Sequence, residues 1–416
     1  MRAILAFLCF MLVSVSAWAL TPAMIGAVSH AGCPTHGTDW STWNGTNNGV
    51  MVEDYLGTQQ WNTGTYANLT DDTALHAYTT TTDSGTNYRL ETAIVTMDAN
   101  CKTLTRGTPT VLKTWSAVAS LPSMAKMSAT RFLVVASVTG ANALEAYLVD
   151  NTGALIDSDT LANQITNGGS GFEIASHSST IAVVGFRRQS DSDLGAVAID
   201  ITGDNIVFGT PVELKDLVSV SQSGPSVVAV TSTRGMMIDA NAATRYTLSG
   251  TTISYGAEIA PDSLASIWAG SGTYRGILIA ANTVLITYKP AYGGASGKLR
   301  ASVVTDDGTT MSRAAQLYIT SAYGTVALKS RHSTEVRQYS AGVNNGLYLV
   351  AFEDTNNDCA VNMISWSGSA IALERETTLG TSVVFCEHVL AHTFDNGLVA
   401  AHWQDDVYWD WQVLSP

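Results

Sequence analysis

Charge is scarce in this sequence, and positive charge is scarcer still. Asp, Glu, Lys and Arg make up only 13% of the chain, with 21 Lys plus Arg against 35 Asp plus Glu. The net charge of −14 at neutral pH argues against a nucleic-acid partner, because binding to phosphate backbones depends on Lys and Arg displacing counterions. It argues equally against an anionic membrane surface. Catalytic signatures are missing: there is no H-E-x-x-H, no P-loop, no G-x-S-x-G and no dinucleotide fingerprint. No cofactor is therefore expected to be required. Helix signals are also nearly absent. Apolar residues still reach 46% of the 416, enough for a core and too many for bulk disorder.

Long apolar runs are confined to the start. Ala3 to Val15 follows Arg2 and precedes Ala17-Trp18-Ala19. A positive start, an apolar centre and an A-x-A site form the pattern of a secretory signal. Residues 1–19 are expected to be removed, leaving a secreted chain, extracellular or periplasmic, with no membrane span. An uncleaved anchor is the competing reading, but the run is short for a spanning helix. Four cysteines then remain: Cys33, Cys101, Cys359 and Cys386. An even number in an oxidising compartment predicts disulfides, with three pairings open. Four buried thiols compete with that reading, since a chain this long needs no staples.

What fills the chain is Thr, Ser, Gly and Val in short runs, with turn residues every 8–12 positions, which reads as all-β. One strand type recurs: an apolar run behind a small polar turn. It occurs at Ala74–Tyr78, Phe132–Ala136, Ile181–Phe186, Met236–Ile238, Val284–Tyr288, Leu347–Phe352 and Leu398–Trp403, spaced by about 54 residues. Each copy has a short strand before it and a third strand after it. The third strands end in acidic turns, Asp150-Asn-Thr-Gly153, Asp200-Ile-Thr-Gly203 and Asp306-Asp-Gly308, where Gly can take positive φ. A fourth strand carries Gly107-Thr-Pro109 in one unit and Gly209-Thr-Pro211 in another, with Gly256-Ala-Glu258 at the matching point of a third. Such regular self-similarity marks a repeat architecture.

Seven units of four antiparallel strands resemble the seven-bladed β-propeller superfamily. The resemblance is architectural: the unit is longer than the WD40 period, Trp409-Asp410 has no counterparts in the other units, and the sialidase-type S-x-D-x-G-x-x-W box is missing. The implied organisation is one propeller over residues 20–416. Its blades lie near 65–113, 124–162, 172–216, 226–260, 274–320, 334–378 and 384–416, the last completed by an N-terminal strand within 22–30. Such closure removes exposed sheet edges.

A propeller sorts its loops onto two faces. The turns between first and second strands, and between third and fourth, share one face and are short here. The loops between second and third strands share the other face with the crossings from blade to blade, and these are long. Function is expected on the long-loop face. It collects Trp40, Trp43, Trp61, Trp115 and Trp268, several acids, and Arg187 and Arg188. Indole rings stack on the C–H faces of sugars while charged neighbours bind the hydroxyls, so the set reads as a glycan-binding surface. The alternative is that each Trp plugs a gap between blades, as Trp is mostly buried.

Other candidates are weaker. The run Glu353-Asp354-Thr-Asn356-Asn-Asp358 offers oxygens at alternating positions, as calcium loops do. It lacks an EF-hand's central Gly and distal Glu, and a solvated turn is the plain reading. Cys386, His388, His392 and His402 group in the last blade, although strand geometry spreads them too far for one ion. Cys359–Cys386 is the favoured disulfide and Cys33–Cys101 the remainder. Glu173, Glu335 and Glu387 fall on the predicted innermost strands, where they can serve as acid–base groups at the channel mouth or as channel salt bridges. Asn44-Gly-Thr46 and Asn68-Leu-Thr70 are glycosylation sequons.

The leading expectation is a secreted binding or structural module for a polysaccharide or surface glycoprotein. A carbohydrate-active hydrolase or lyase is the alternative, and a structural subunit of an extracellular or virion assembly a further one.

Overall fold

The recurring apolar runs are the second strands of seven antiparallel sheets formed by the described residues. The computed structural model describes residues 64–414 except 71, 82–86, 98–103, 118–121, 138–141, 164–171, 189–193, 216–224, 240–241, 261–273, 289–298, 320–334, 339–346, 354–358, 381–386, 394–398 and 406–407. The sheets occupy residues 65–115, 123–161, 172–215, 226–259, 274–318, 335–380 and 387–414. In each, strand order follows chain order.

In the first six sheets both faces of the second strand are buried, which is why these strands are mostly apolar rather than alternating. In Arg131–Ser137 the residues Phe132, Val134 and Ala136 pack toward the first sheet. Their neighbours Leu133 and Val135 pack toward the third. The same division repeats along the chain, with one apolar core between sheets one and two, two and three, three and four, four and five, and five and six. The first strands of successive sheets lie side by side and form the inner layer. Among the described residues the outer strands are the most polar and exposed, although Leu112, Trp115 and Leu214 turn inward from them. Val111, Leu155, Val207, Tyr255 and Tyr318, the large apolar residues left in water, all lie on them. Sheets stacked face to face in chain order around a common inner layer make this a β-propeller.

Four strands per sheet is not the rule throughout. The first and third sheets carry a fifth strand, because Gly107-Thr-Pro109 and Gly209-Thr-Pro211 split what the sequence presents as one outer strand. In each, the Gly amide still bonds the third strand, Gly107 N to Ile94 O at 2.7 Å and Gly209 N to Ala198 O at 2.8 Å. Two residues later Pro has no N–H to give, and pairing resumes one residue out of register. The last sheet has three strands among the described residues. All six other sheets have a bulge between their third strand and the outer strand, which increases local twist.

The acidic turns fold as their residues require. Asp150 Oδ1 accepts from Thr152 N at 2.8 Å and Ala154 N at 3.0 Å, and Gly153 takes φ +82°. Asp200 Oδ1 accepts from Thr202 N at 2.8 Å, and Asp306 Oδ1 from Gly308 N at 3.0 Å. The side chain replaces a backbone acceptor, and Gly supplies the left-handed residue.

Candidate functional site

The short-turn face is tied together from sheet to sheet. Between sheets one and two, Thr92 Oγ1 donates to Gly153 O at 2.7 Å, and Lys126 Nζ to Asn68 O at 2.5 Å. Between two and three, Arg131 grips Asp204 with two bonds of 2.7 Å. That geometry holds Arg131 above its ordinary pKa and Asp204 below its own. Between four and five, Asp306 lies at 0% side-chain exposure. Arg245 Nε donates to it at 2.9 Å and Arg234 Nε lies 3.2 Å away. Arg234 Nη2 also reaches Asn282 Oδ1 at 2.5 Å. Between five and six, Tyr348 donates to Ile279 O at 3.2 Å, while Asn362 Nδ2 donates to Ile319 O at 2.6 Å toward the opposite, long-loop end. The first and last sheets also touch: His392 Nε2 lies 2.6 Å from Asn68 Oδ1, and Tyr66 stacks on His76 at 4.2 Å and meets His392 at a tilt at 5.2 Å.

At the other end, a second set of bonds ties the inner strands near their starts. Each inner strand is an edge strand whose N–H groups would otherwise face the channel. Ser123 Oγ accepts from Ile174 N at 3.3 Å, Glu173 Oε2 from Val227 N at 2.9 Å, and Ser226 Oγ from Gly276 N at 3.0 Å. Glu173 is thus half-buried with one oxygen committed to its neighbour's backbone. Glu335 and Glu387 are the first residues of the inner strands Glu335–Gln338 and Glu387–Thr393.

Trp115 ends the outer strand Thr110–Trp115 and is only 8% exposed. Its ring fills the core between sheets one and two beside Leu112, Tyr88 and Met124. Nε1 donates to both oxygens of Glu145 at 3.2 Å, and Tyr147 donates to the same carboxylate. Burial, reinforced by Glu145, pushes the Tyr147 phenol upward. The structure therefore uses Trp115 as a wedge rather than as an exposed platform. Glu145 was not singled out from sequence. The legible signal was its i, i+2 spacing to Tyr147, which puts both on one side of the third strand.

Arg187 closes the strand Ile181–Arg187 and is half-buried. Arg188 follows it, paired with Glu213 on the outer strand, with its stem across Gly195. Trp40, Trp43, Trp61 and Trp268 lie outside the described residues, as do Asp354, Asn356 and Asp358, and Cys33, Cys101 and Cys386. Glu353 and Cys359 face each other across the second and third strands of the sixth sheet. The register of the strand Glu387–Thr393 shifts between Glu387 and Val389. Among the described residues, no group of three His, Cys, Asp or Glu gathers to hold a metal ion, and no helix is long and apolar enough to cross a membrane.

No protein-family model and no curated protein matches this sequence. Solved structures do resemble it in shape. A Bacteroides uniformis protein provisionally assigned as a 6-phosphogluconolactonase is 12% identical, over 80% of this chain and 91% of that one, with a TM-score of 0.53. The β-propeller domain of the Trilobed protease from Pyrococcus furiosus, which has an open velcro topology, is 9% identical over 85% and 96%, with a TM-score of 0.46. NanB sialidase from Streptococcus pneumoniae is 10% identical over 88% and 69%, with a TM-score of 0.48.

Proposed function

We propose that this chain is a secreted seven-bladed propeller that binds a polysaccharide or surface glycoprotein through its long-loop face. One observation carries the reading: the described turns of the opposite face are tied from sheet to sheet through Arg131–Asp204, the Asp306 cluster and the seam at His392. Side chains spent on such bonds offer little to a ligand. In this reading the loops that carry Trp40, Trp43, Trp61 and Trp268 belong to the other face, with Arg187 and Arg188 at its rim. Calcium held by Glu353, Asp354, Asn356 and Asp358 would stiffen one of those loops. The fourth strand of the last blade comes, in this reading, from residues 22–30.

A glycan array with the chain from residue 20 onward tests the idea. Binding is expected and should weaken at least about tenfold in a Trp40→Ala, Trp43→Ala double variant. Binding to no glycan would sink it. A second reading, a glycoside hydrolase or lyase, draws on Glu335 and Glu387, which head neighbouring inner strands. It requires release of new reducing ends, abolished by Glu335→Gln or Glu387→Gln.

A further inference from the structure

We propose that the junction between the third and fourth sheets is an acid-released latch operated by His177. The inference is independent of the glycan reading. His177 follows the inner strand Phe172–Ser176 and is 7% exposed. Its Nδ1 lies 2.8 Å from the carbonyl oxygen of Thr231 and its Nε2 lies 2.7 Å from the hydroxyl of Tyr246, both in the next sheet. A carbonyl can only accept, so Nδ1 carries the proton. Nε2 is then bare and accepts the Tyr246 O–H. The neutral imidazole makes both bonds and also gives the Tyr246 proton an acceptor.

Nothing in the junction can rearrange easily to accept a second proton. Tyr246 is 0% exposed. Its ring lies over Gly235, its cross-strand partner, closely enough that a Cβ at that position would overlap it. Val183, Ala198, Met237 and Leu248 pack in the same core. Protonation would turn Nε2 into a donor facing a hydroxyl, and that hydroxyl would have to turn its own proton into this apolar packing. A buried donor without an acceptor and a buried cation would both oppose the change.

No charge compensates. The groups facing the imidazole are Tyr246 from the strand Ala243–Ser249 and the backbone of Thr231, the last residue of Ser226–Thr231. In its own turn the neighbours are Ser176 and Ser178, with Ser176 Oγ on Ser178 O. Arg234, across the tight turn from Thr231, is committed to Asp306 and Asn282 in the fifth sheet. Burial lowers the affinity of His177 for a proton, and the Thr231 bond opposes it only partly. The sign follows: below about pH 6.5 the unfolded chain takes up a proton that the native junction refuses. The stabilisation is complete above that pH. It falls about tenfold in the folding constant per pH unit below it, until the native pKa is reached.

Histidine-labelled NMR of the full secreted chain tests this directly. At pH 8, His177 should show the Nδ1–H tautomer, and its titration midpoint should lie below the ordinary imidazole value of about 6.5. Urea unfolding between pH 7.5 and 5 should then show a fall in stability that is about tenfold per pH unit shallower in His177→Gln, whose amide can donate to Thr231 and accept from Tyr246. Amide exchange at Val227 and Val228, corrected for intrinsic rates, should quicken over the same range in the parent and not in the variant. An Nε2–H tautomer, a midpoint at or above 6.5, or equal slopes in the two chains would overturn the proposal. The tautomer and midpoint decide the matter even if the variant fails to fold.

Discussion

Two guanidinium–carboxylate sites on the short-turn face, one a single bidentate pair and one a carboxylate shared by two arginines, carry very different weight. Asp306 is fully buried between Arg245 and Arg234, whose side chains are 9% and 16% exposed. Removing that carboxylate leaves two buried cations facing each other, and breaking such a group costs about 3–5 kcal/mol. Asp306→Ala should therefore lose about that much in urea unfolding, with the m-value unchanged. Arg131 and Asp204 are 31% and 46% exposed, so water screens them. Arg131→Ala should be indistinguishable from the parent within the fit, and a loss equal to that of Asp306→Ala would show that burial is not the deciding variable. Hydrogen bonds from Thr152 and Ala154 hold Asp150 below the usual carboxylate range despite its partial burial, and the amides of Thr310 and Thr309 do the same for Asp307. Their stabilising contribution is full above about pH 4 and is lost as pH falls below it. Side-chain roles were the least legible part of the sequence. An aromatic at the end of an outer strand suits a ligand platform and a wedge equally, and only packing assigns Trp115 to the wedge. Glu173 likewise reads as an acid at a channel mouth until its oxygen is seen on the Val227 amide.

Strands were far more legible, for a physical reason. A second strand buried on both faces is apolar at most positions, so Phe132–Ala136 and Val284–Tyr288, with Thr287 its one polar member, stand out without a regular alternation. The outer strands are mostly exposed and polar, and their interruption by Gly-Thr-Pro was not foreseen as a split into two. The two Gly positions make a sharp comparison. A Cβ at Gly209 would come 2.6 Å from the carbonyl oxygen of Thr251 in the next sheet's turn. Gly256, at the matching point of the fourth sheet, has open space around it. Neither needs positive φ, so the difference is purely one of approach. Gly209→Ala should destabilise the chain by about 1–3 kcal/mol, the range for a side chain forced into filled space. Gly256→Ala should be neutral or slightly stabilising, because Ala restricts the unfolded chain. Equal effects in thermal unfolding would mean that the two turns do not define how closely the sheets approach.

The molecule as a whole poses a problem that no single sheet can solve. Packing in chain order gives every sheet two neighbours except the first and the last, and the chain itself does not bridge that gap. What bridges it on the inner side is His392, bonded to Asn68 and in tilted ring contact with Tyr66. Asn68 belongs to the second sequon, so its side chain already works at the seam. On the outer side the last sheet lacks a fourth strand among the described residues, and an N-terminal strand placed there would join both termini in one sheet. If residues 20–30 supply that strand, as proposed above, the two devices act on the same gap and should not act independently. Removal of residues 20–30 should lower the unfolding midpoint, and so should His392→Ala in the otherwise intact chain. Combined, the losses should fall short of their sum, because a seam opened from one side has little left to lose from the other. Additive losses would place residues 20–30 away from the seam, and no loss on truncation would remove the N-terminal strand from the ring altogether.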